Sequence, residues 1–153
     1  MKKVFRFLLT LVLFLTLTAQ LNAQTVVTVG NNCMGEDFLP INVTYGYSYS
    51  QTIFSSEELM AGEISSISYK FNSEVPVTIS SQIYLGEVNR DVFANAEDFV
   101  SADSLTQVYS GNVTFTQGWV TINFTTPFDY SGENNLVVAY MNNTGTWTDA
   151  RLF

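Results

Sequence analysis

Apolar and polar residues alternate with a period of two in three places. Ile67, Tyr69 and Phe71 are separated by Ser68 and Lys70. Val77, Ile79, Ile83 and Leu85 keep one phase, with Ser81 as the single small interruption. Val120, Ile122 and Phe124 alternate with Thr121 and Asn123. An extended chain points successive side chains to opposite faces, so each run predicts a strand with one face on a core. In a fourth run, Leu136, Val138 and Tyr140 share one face while Val137 and Ala139 make the other apolar too. That pattern predicts a strand in the middle of its sheet, covered on both sides. Trp119 stands at the head of the third run and is expected in the core. Weaker strands are expected at 25–29, 50–54, 106–109 and 113–115.

Turn signals separate these runs: Ala61-Gly62-Glu63, residues 72–76, Ser110-Gly111-Asn112, Gln117-Gly118 and residues 131–134. Pro76 and Pro127 stand at strand ends, where a missing N–H is tolerated. Seven or more short strands at this spacing predict an all-β, antiparallel β-sandwich or barrel. Residues 87–104 lack alternation and read as a long crossover with one helical turn near Glu97. Greek-key and jelly-roll sandwiches need such a crossover.

Composition agrees. The chain after residue 23 is rich in Thr, Ser, Val, Ile, Tyr and Phe and poor in Lys, Arg and Ala, which favours strands. The first residues differ. Lys2, Lys3 and Arg6 precede an apolar stretch at 7–19, and Leu21-Asn22-Ala23 offers a small residue to a signal peptidase. This is the layout of a secretory signal peptide over 1–23, cleaved between Ala23 and Gln24. The stretch falls short of the roughly 18–20 residues of a spanning helix, so no permanent membrane span is expected. Residues 24–153 then form one domain, secreted or held at the outer cell surface. Cleavage leaves all 14 acidic residues but only three basic ones, Lys70, Arg90 and Arg151, so the formal charge moves from −8 to −11. Such a surface repels phosphate backbones, which excludes nucleic acid as a partner. The single cysteine, Cys33, cannot form an internal disulfide and reads as a free thiol.

Several segments resemble a module that recurs in secreted and surface proteins of the Bacteroidota. They are 50–54, 64–69, 83–86, 105–113 (LTQVYSGNV), 118–128 (GWVTINFTTPF), 135–140 and 143–147. The resemblance covers about two-thirds of the chain. It implies a jelly-roll-like sandwich similar to cleaved-adhesin-type modules, with an accessory role in adhesion or substrate contact. Modules of this kind sit beside other domains, and their parent proteins commonly end in a type IX secretion sorting domain, which is not seen here. The chain stops at Leu152-Phe153 without a polar tail, so a longer parent protein with neighbouring domains is expected.

The chain has no histidine. Ser-His-Asp and Cys-His catalysis and the common zinc sites therefore lack their central residue, and no enzyme activity is expected. The adjacent acids Glu36-Asp37, Glu57-Glu58 and Glu97-Asp98 could pair for glycoside hydrolysis, but read as solvated loop charges. Calcium is the cofactor this composition suits best, because it takes carboxylate, amide and carbonyl oxygens. Glu97, Asp98 and Asp103 are the candidate ligands, with Asp129, Glu133 and Asn134 as a second group. Tyr45, Tyr47 and Tyr49 alternate and would share one face if extended, forming a strip on which sugar rings could stack; a half-buried core edge is the other reading. Sequons at Asn42, Asn112, Asn123 and Asn142 read as chance matches in a Thr-rich chain, and Asp103-Ser104-Leu105 resembles a short O-glycosylation signal.

The function expected is a non-catalytic exported module for adhesion, for binding an extracellular protein or glycan, or for presenting a neighbouring domain. The alternative is a carbohydrate-binding module or an accessory domain of a secreted hydrolase or peptidase.

Overall fold

The computed structural model of the chain describes residues 24–30 and 40–147. The signal peptide expected over residues 1–23, with Ala23 at its cleavage point, lies outside them. Six strands form: β1 (Ser48–Phe54), β2 (Gly62–Phe71), β3 (Val77–Val88), β4 (Thr106–Phe115), β5 (Gly118–Tyr130) and β6 (Asn135–Asn142). They make two antiparallel sheets, one in the order β1-β6-β3-β4 and one of β2 with β5. The chain is an all-β sandwich, as its alternation predicts. The order is that of a jelly roll whose second sheet holds two strands in place of four.

Each apolar phase becomes an inner face. Val77, Ile79, Ile83 and Leu85 of β3 pack with Val108, Val113 and Phe115 of β4 and with Leu136, Val138 and Tyr140 of β6. Ile67, Tyr69 and Phe71 of β2 and Val120, Ile122 and Phe124 of β5 close the core from the other side. The Phe71 and Phe115 rings meet across the layers at 5.8 Å. Ile41 and Val43, just before β1, are buried with them, so this segment adds the apolar volume that a two-stranded sheet lacks. Ser81, the polar interruption in β3, accepts a 2.6 Å hydrogen bond from the Tyr140 hydroxyl and donates to the Ile79 carbonyl. The two polar groups satisfy each other, which makes their burial tolerable. Burial also pushes the Tyr140 phenol above its usual range, against the pull of the Ser81 bond, so it stays neutral.

The doubly apolar strand β6 lies between β1 and β3, inside its sheet as expected. Four local expectations are corrected. Residues 106–109 and 113–115 are one strand, β4, that runs through Ser110-Gly111-Asn112. Gly111 pairs with Ser81, and the Tyr109 hydroxyl folds back over it to donate to the Asn112 carbonyl. Residues 25–29 form no strand: they are mostly exposed and lack strict alternation, so they have no single apolar face to bury. Near Glu97 there is a tight turn rather than a helical one. Its N–H donates to the Asn95 side chain, and the Asp98 N–H to the Asn95 carbonyl; a short 3₁₀ turn follows at Ala102–Ser104. Trp119 faces away from the core and is 63% exposed, opposite Lys70 on the outer face of β2 and β5.

Pro127 sits where the β2–β5 ladder breaks. Ile64 pairs with Phe128 and Ser66 with Asn123, so residues 124–127 bulge opposite Ser65. A residue without an N–H costs nothing there. The bulge also turns β5 toward the first sheet, and the Thr125 hydroxyl donates to the Val108 carbonyl of β4.

Candidate ligand-binding cleft

The crossover from β3 to β4 lies over the outer face of the four-stranded sheet. At Gly86 of β3 the crossover settles almost onto the strand. A Cβ there would stand 2.6 Å from Leu105 Cδ2 and 3.1 Å from the Ser104 carbonyl oxygen, so any larger residue would displace Leu105 and crowd the Ser104 backbone. Gln51 of β1 holds the middle of the crossover. Its Oε1 accepts the Val100 N–H at 2.8 Å and its Nε2 donates to the Val100 carbonyl at 2.9 Å. The side-chain amide satisfies one backbone residue completely, as a neighbouring strand would. Arg90 fixes the segment again, with a 2.9 Å ion pair to Asp98, a bond to the Asp98 carbonyl and its guanidinium 4.8 Å from the Phe93 ring centre. Asn135 of β6 donates to the Arg90 carbonyl and to the Asp91 carboxylate.

Beyond this clasp an open cleft of about 370 Å³ remains. Tyr49, Tyr84 and Met141 come from β1, β3 and β6, and Phe99, Val100, Ser101 and Ala102 from the crossover. Strand register explains the grouping. Tyr49 pairs with Met141 and Met141 with Gln82, while Gln51 and Tyr84 flank Ala139 one step along. All point outward because their neighbours on each strand point in. Tyr49 meets Phe99 edge-on at 5.2 Å. The Tyr84 hydroxyl donates to Gln82 Oε1 at 3.1 Å and accepts from Gln107 Nε2 at 2.9 Å. Asn143 donates to the same Gln82 oxygen at 3.3 Å. No lining side chain is charged.

The three candidate tyrosines do not form one extended strip. Tyr45 lies in a bend before β1 and Tyr47 immediately before the strand, 64% and 69% exposed, whereas Tyr49 is half-buried in the cleft. Gly46 sets the bend, because a Cβ on it would lie 2.7 Å from the Gly145 backbone. The buried Asn142 locks the same two loops, donating to the Tyr45 carbonyl and accepting from the Thr144 N–H and hydroxyl. This engaged side chain is unavailable as a sequon acceptor. Tyr47 rests against Gly145, at the cleft's end of the sheet.

The acidic candidates are dispersed. Among the described residues no group of three or more acidic or cysteine side chains gathers to hold a metal ion. Asp98 is committed to Arg90 and to the Ala94 N–H, and those bonds, the backbone one foremost, hold its carboxyl below its usual range. Glu97 and Asp103 are exposed, as is the pair Glu57-Glu58 in the turn after β1. Asp129 and Glu133 are exposed and Asn134 is half-buried, in the β5–β6 connection and its flank. Cys33 and the pair Glu36-Asp37 lie outside the described residues. Glu87, read only as the start of the crossover, accepts from both the N–H and the hydroxyl of Ser131. Partial burial opposes its charge, but these bonds and those from Asn134 outweigh it and lower its pKa.

Of the residues lining the cleft, the sequence pattern singles out Tyr49; it does not point to Tyr84, Phe99, Met141 or the Gln51 clasp. The even positions of β3 carried a usable signal: an aromatic and a long amide, Tyr84 and Gln82, on an otherwise small hydroxylic face. Among the described residues no helix is long and apolar enough to cross a membrane. Compared with protein-family models, curated proteins and solved structures, the chain matches none.

Proposed function

We propose that the chain is a non-catalytic exported module that binds an extracellular partner through the outer face of its four-stranded sheet. The observation that carries this reading is the clasped cleft. A crossover tied to the sheet by Gln51 and braced within itself by Arg90 and Asp98 leaves Tyr49, Tyr84, Phe99 and Met141 around an open, uncharged hollow. Aromatic and apolar side chains with a few fixed polar groups are the usual make-up of a ligand site. The signal-peptide layout of residues 1–23 supports export, and the segments similar to adhesin-type modules of the Bacteroidota support an accessory role at the cell surface beside other domains.

Two measurements test this. Sequencing the N-terminus of the exported protein is expected to read from Gln24; an intact Met1 on a cytoplasmic protein overturns the exported form. The purified chain, immobilised, is expected to retain extracellular glycans or surface proteins, and the double variant Tyr84→Ala, Phe99→Ala to lose that retention. Equal retention by both forms would remove the cleft from the function.

A further inference from the structure

We propose that the cleft takes a neutral sugar ring, stacked on the aromatic side chains and read by a row of side-chain amides; this rests on the binding role proposed for the same face.

The lining decides the charge of the ligand. Tyr49, Tyr84, Phe99, Val100, Ser101, Ala102 and Met141 carry none. A carboxylate or phosphate entering this hollow would lose water without gaining a counter-charge, which is unfavourable. Anionic glycans are also repelled by a domain of net negative charge. A volume of about 370 Å³ lies at the small end of ligand sites, roughly 300–1,000 Å³, and suits a mono- or disaccharide unit.

The polar rim decides the chemical class. Gln82, Tyr84, Gln107 and Asn143 form one hydrogen-bonded row across β3, β4 and the end of β6. The row orients its members and leaves capacity over. The Tyr49 hydroxyl accepts from Gln51 Nε2 at 2.7 Å, while its own proton finds no acceptor among the described residues. Gln107 Oε1 and Asn143 Oδ1 receive no donor among them either. A free donor on β1 and free acceptors on β4 and just past β6 match sugar hydroxyls, which both give and take hydrogen bonds. The C–H face of a pyranose suits the aromatic walls. Tyr47, exposed at the end of the same face, offers the next ring of a longer chain a second stacking surface.

Met141 supplies the reporter, because its side chain lines the cleft. The purified chain is titrated with cello-, xylo- and mannohexaose and followed by the methionine methyl signals in NMR. At least one neutral hexaose is expected to move the Met141 methyl to saturation, leave Met60 in place and bind more tightly than its disaccharide. Polygalacturonate is expected to leave Met141 unmoved. Tyr84→Ala is expected to weaken binding at least tenfold, and Tyr84→Phe, which keeps the ring and drops the hydroxyl, several-fold. No response to any neutral hexaose, or unchanged affinity in Tyr84→Ala, overturns the proposal. If aromatic-rich peptides move Met141 where sugars do not, the sugar assignment falls and the binding role stands. If neither moves it and retention of surface ligands is also insensitive to the cleft variants, both fall.

Discussion

Along β3 the odd-numbered side chains from Val77 to Leu85 point into the core, and the even-numbered ones from Thr78 to Tyr84 point out. The inner face is held by volume. Its residues touch apolar neighbours on four other strands, and its polar Ser81 is answered by Tyr140. The outer face is held by direction. Gln51 fits one backbone residue, Tyr84 joins two glutamines, and Thr78 meets Thr114 at 2.9 Å. The same strands thus carry one surface fixed mainly by shape and another fixed largely by matched hydrogen bonds. The first makes the fold, and the second is free to differ without unfolding it.

The sharpest way to break this contrast is to cut the inner face. Phe115 is fully buried against Phe71, so Phe115→Ala loses apolar transfer and leaves a cavity between the sheets. A loss of about 3–5 kcal/mol is expected in urea unfolding. A loss below 1 kcal/mol would mean that the layers are not packed through this residue.

On the outer face, Gln51→Ala strips both partners from Val100. Groups left unpaired cost about 1–3 kcal/mol when buried; here water can reach them in part, so the lower end is expected. Amide exchange at Val100 should quicken while that of Val138, in the covered strand β6, stays slow. Parallel acceleration of both would show that the clasp belongs to the global fold. Gln51→Glu keeps the acceptor for the Val100 N–H and loses the donor, and is expected to fall between.

Acid should act on the crossover and on the β5–β6 turn before the core. Asp98 and Glu87 both have lowered pKa values in the folded chain. A depressed carboxyl stabilises above its unfolded value, and that contribution is lost as pH falls through the folded one. Stability is therefore expected to be level at neutral pH and to decline on acidification below the ordinary Asp and Glu range, near 4. Asp98→Asn should flatten part of that decline and leave the neutral plateau lower. An unchanged slope in Asp98→Asn would show that the Arg90–Asp98 pair does not couple to folding.

What the chain made legible follows the same division. Burial writes itself as alternation, so β2, β3, β5 and the covered strand β6 could be read from apolar spacing. Matched hydrogen bonds leave no period. Gln51 and Val100 are 49 positions apart, and nothing in either residue names the other. The strand β4 was split in expectation because Ser110-Gly111-Asn112 carries turn chemistry; cross-strand pairing to β3 overrode that local preference. The tyrosine run is bent out of one extended strip for a similar reason. Gly46 permits a backbone contact with Gly145 that bends the chain before β1, and only the tertiary contact makes that bend visible.

Trp119 gives the smallest and most discriminating effect. Its size and its place at the head of a strand argue for the core, but its phase argues against. Val120, Ile122 and Phe124 turn inward, and a side chain one position out of phase must turn outward. Trp119→Ala should therefore cost at most about 1 kcal/mol, in the range of surface changes away from special features, despite removing the largest side chain in the sheet. Trp147, the other tryptophan, is also exposed, so native emission should already lie close to that of the unfolded chain and shift little on unfolding. A blue-shifted native emission, or a cost approaching that of Phe115→Ala, would mean that something covers the outer face of β2 and β5. The division between an inner face of volume and an outer face of direction would then fail in the second sheet, where no clasp supports it.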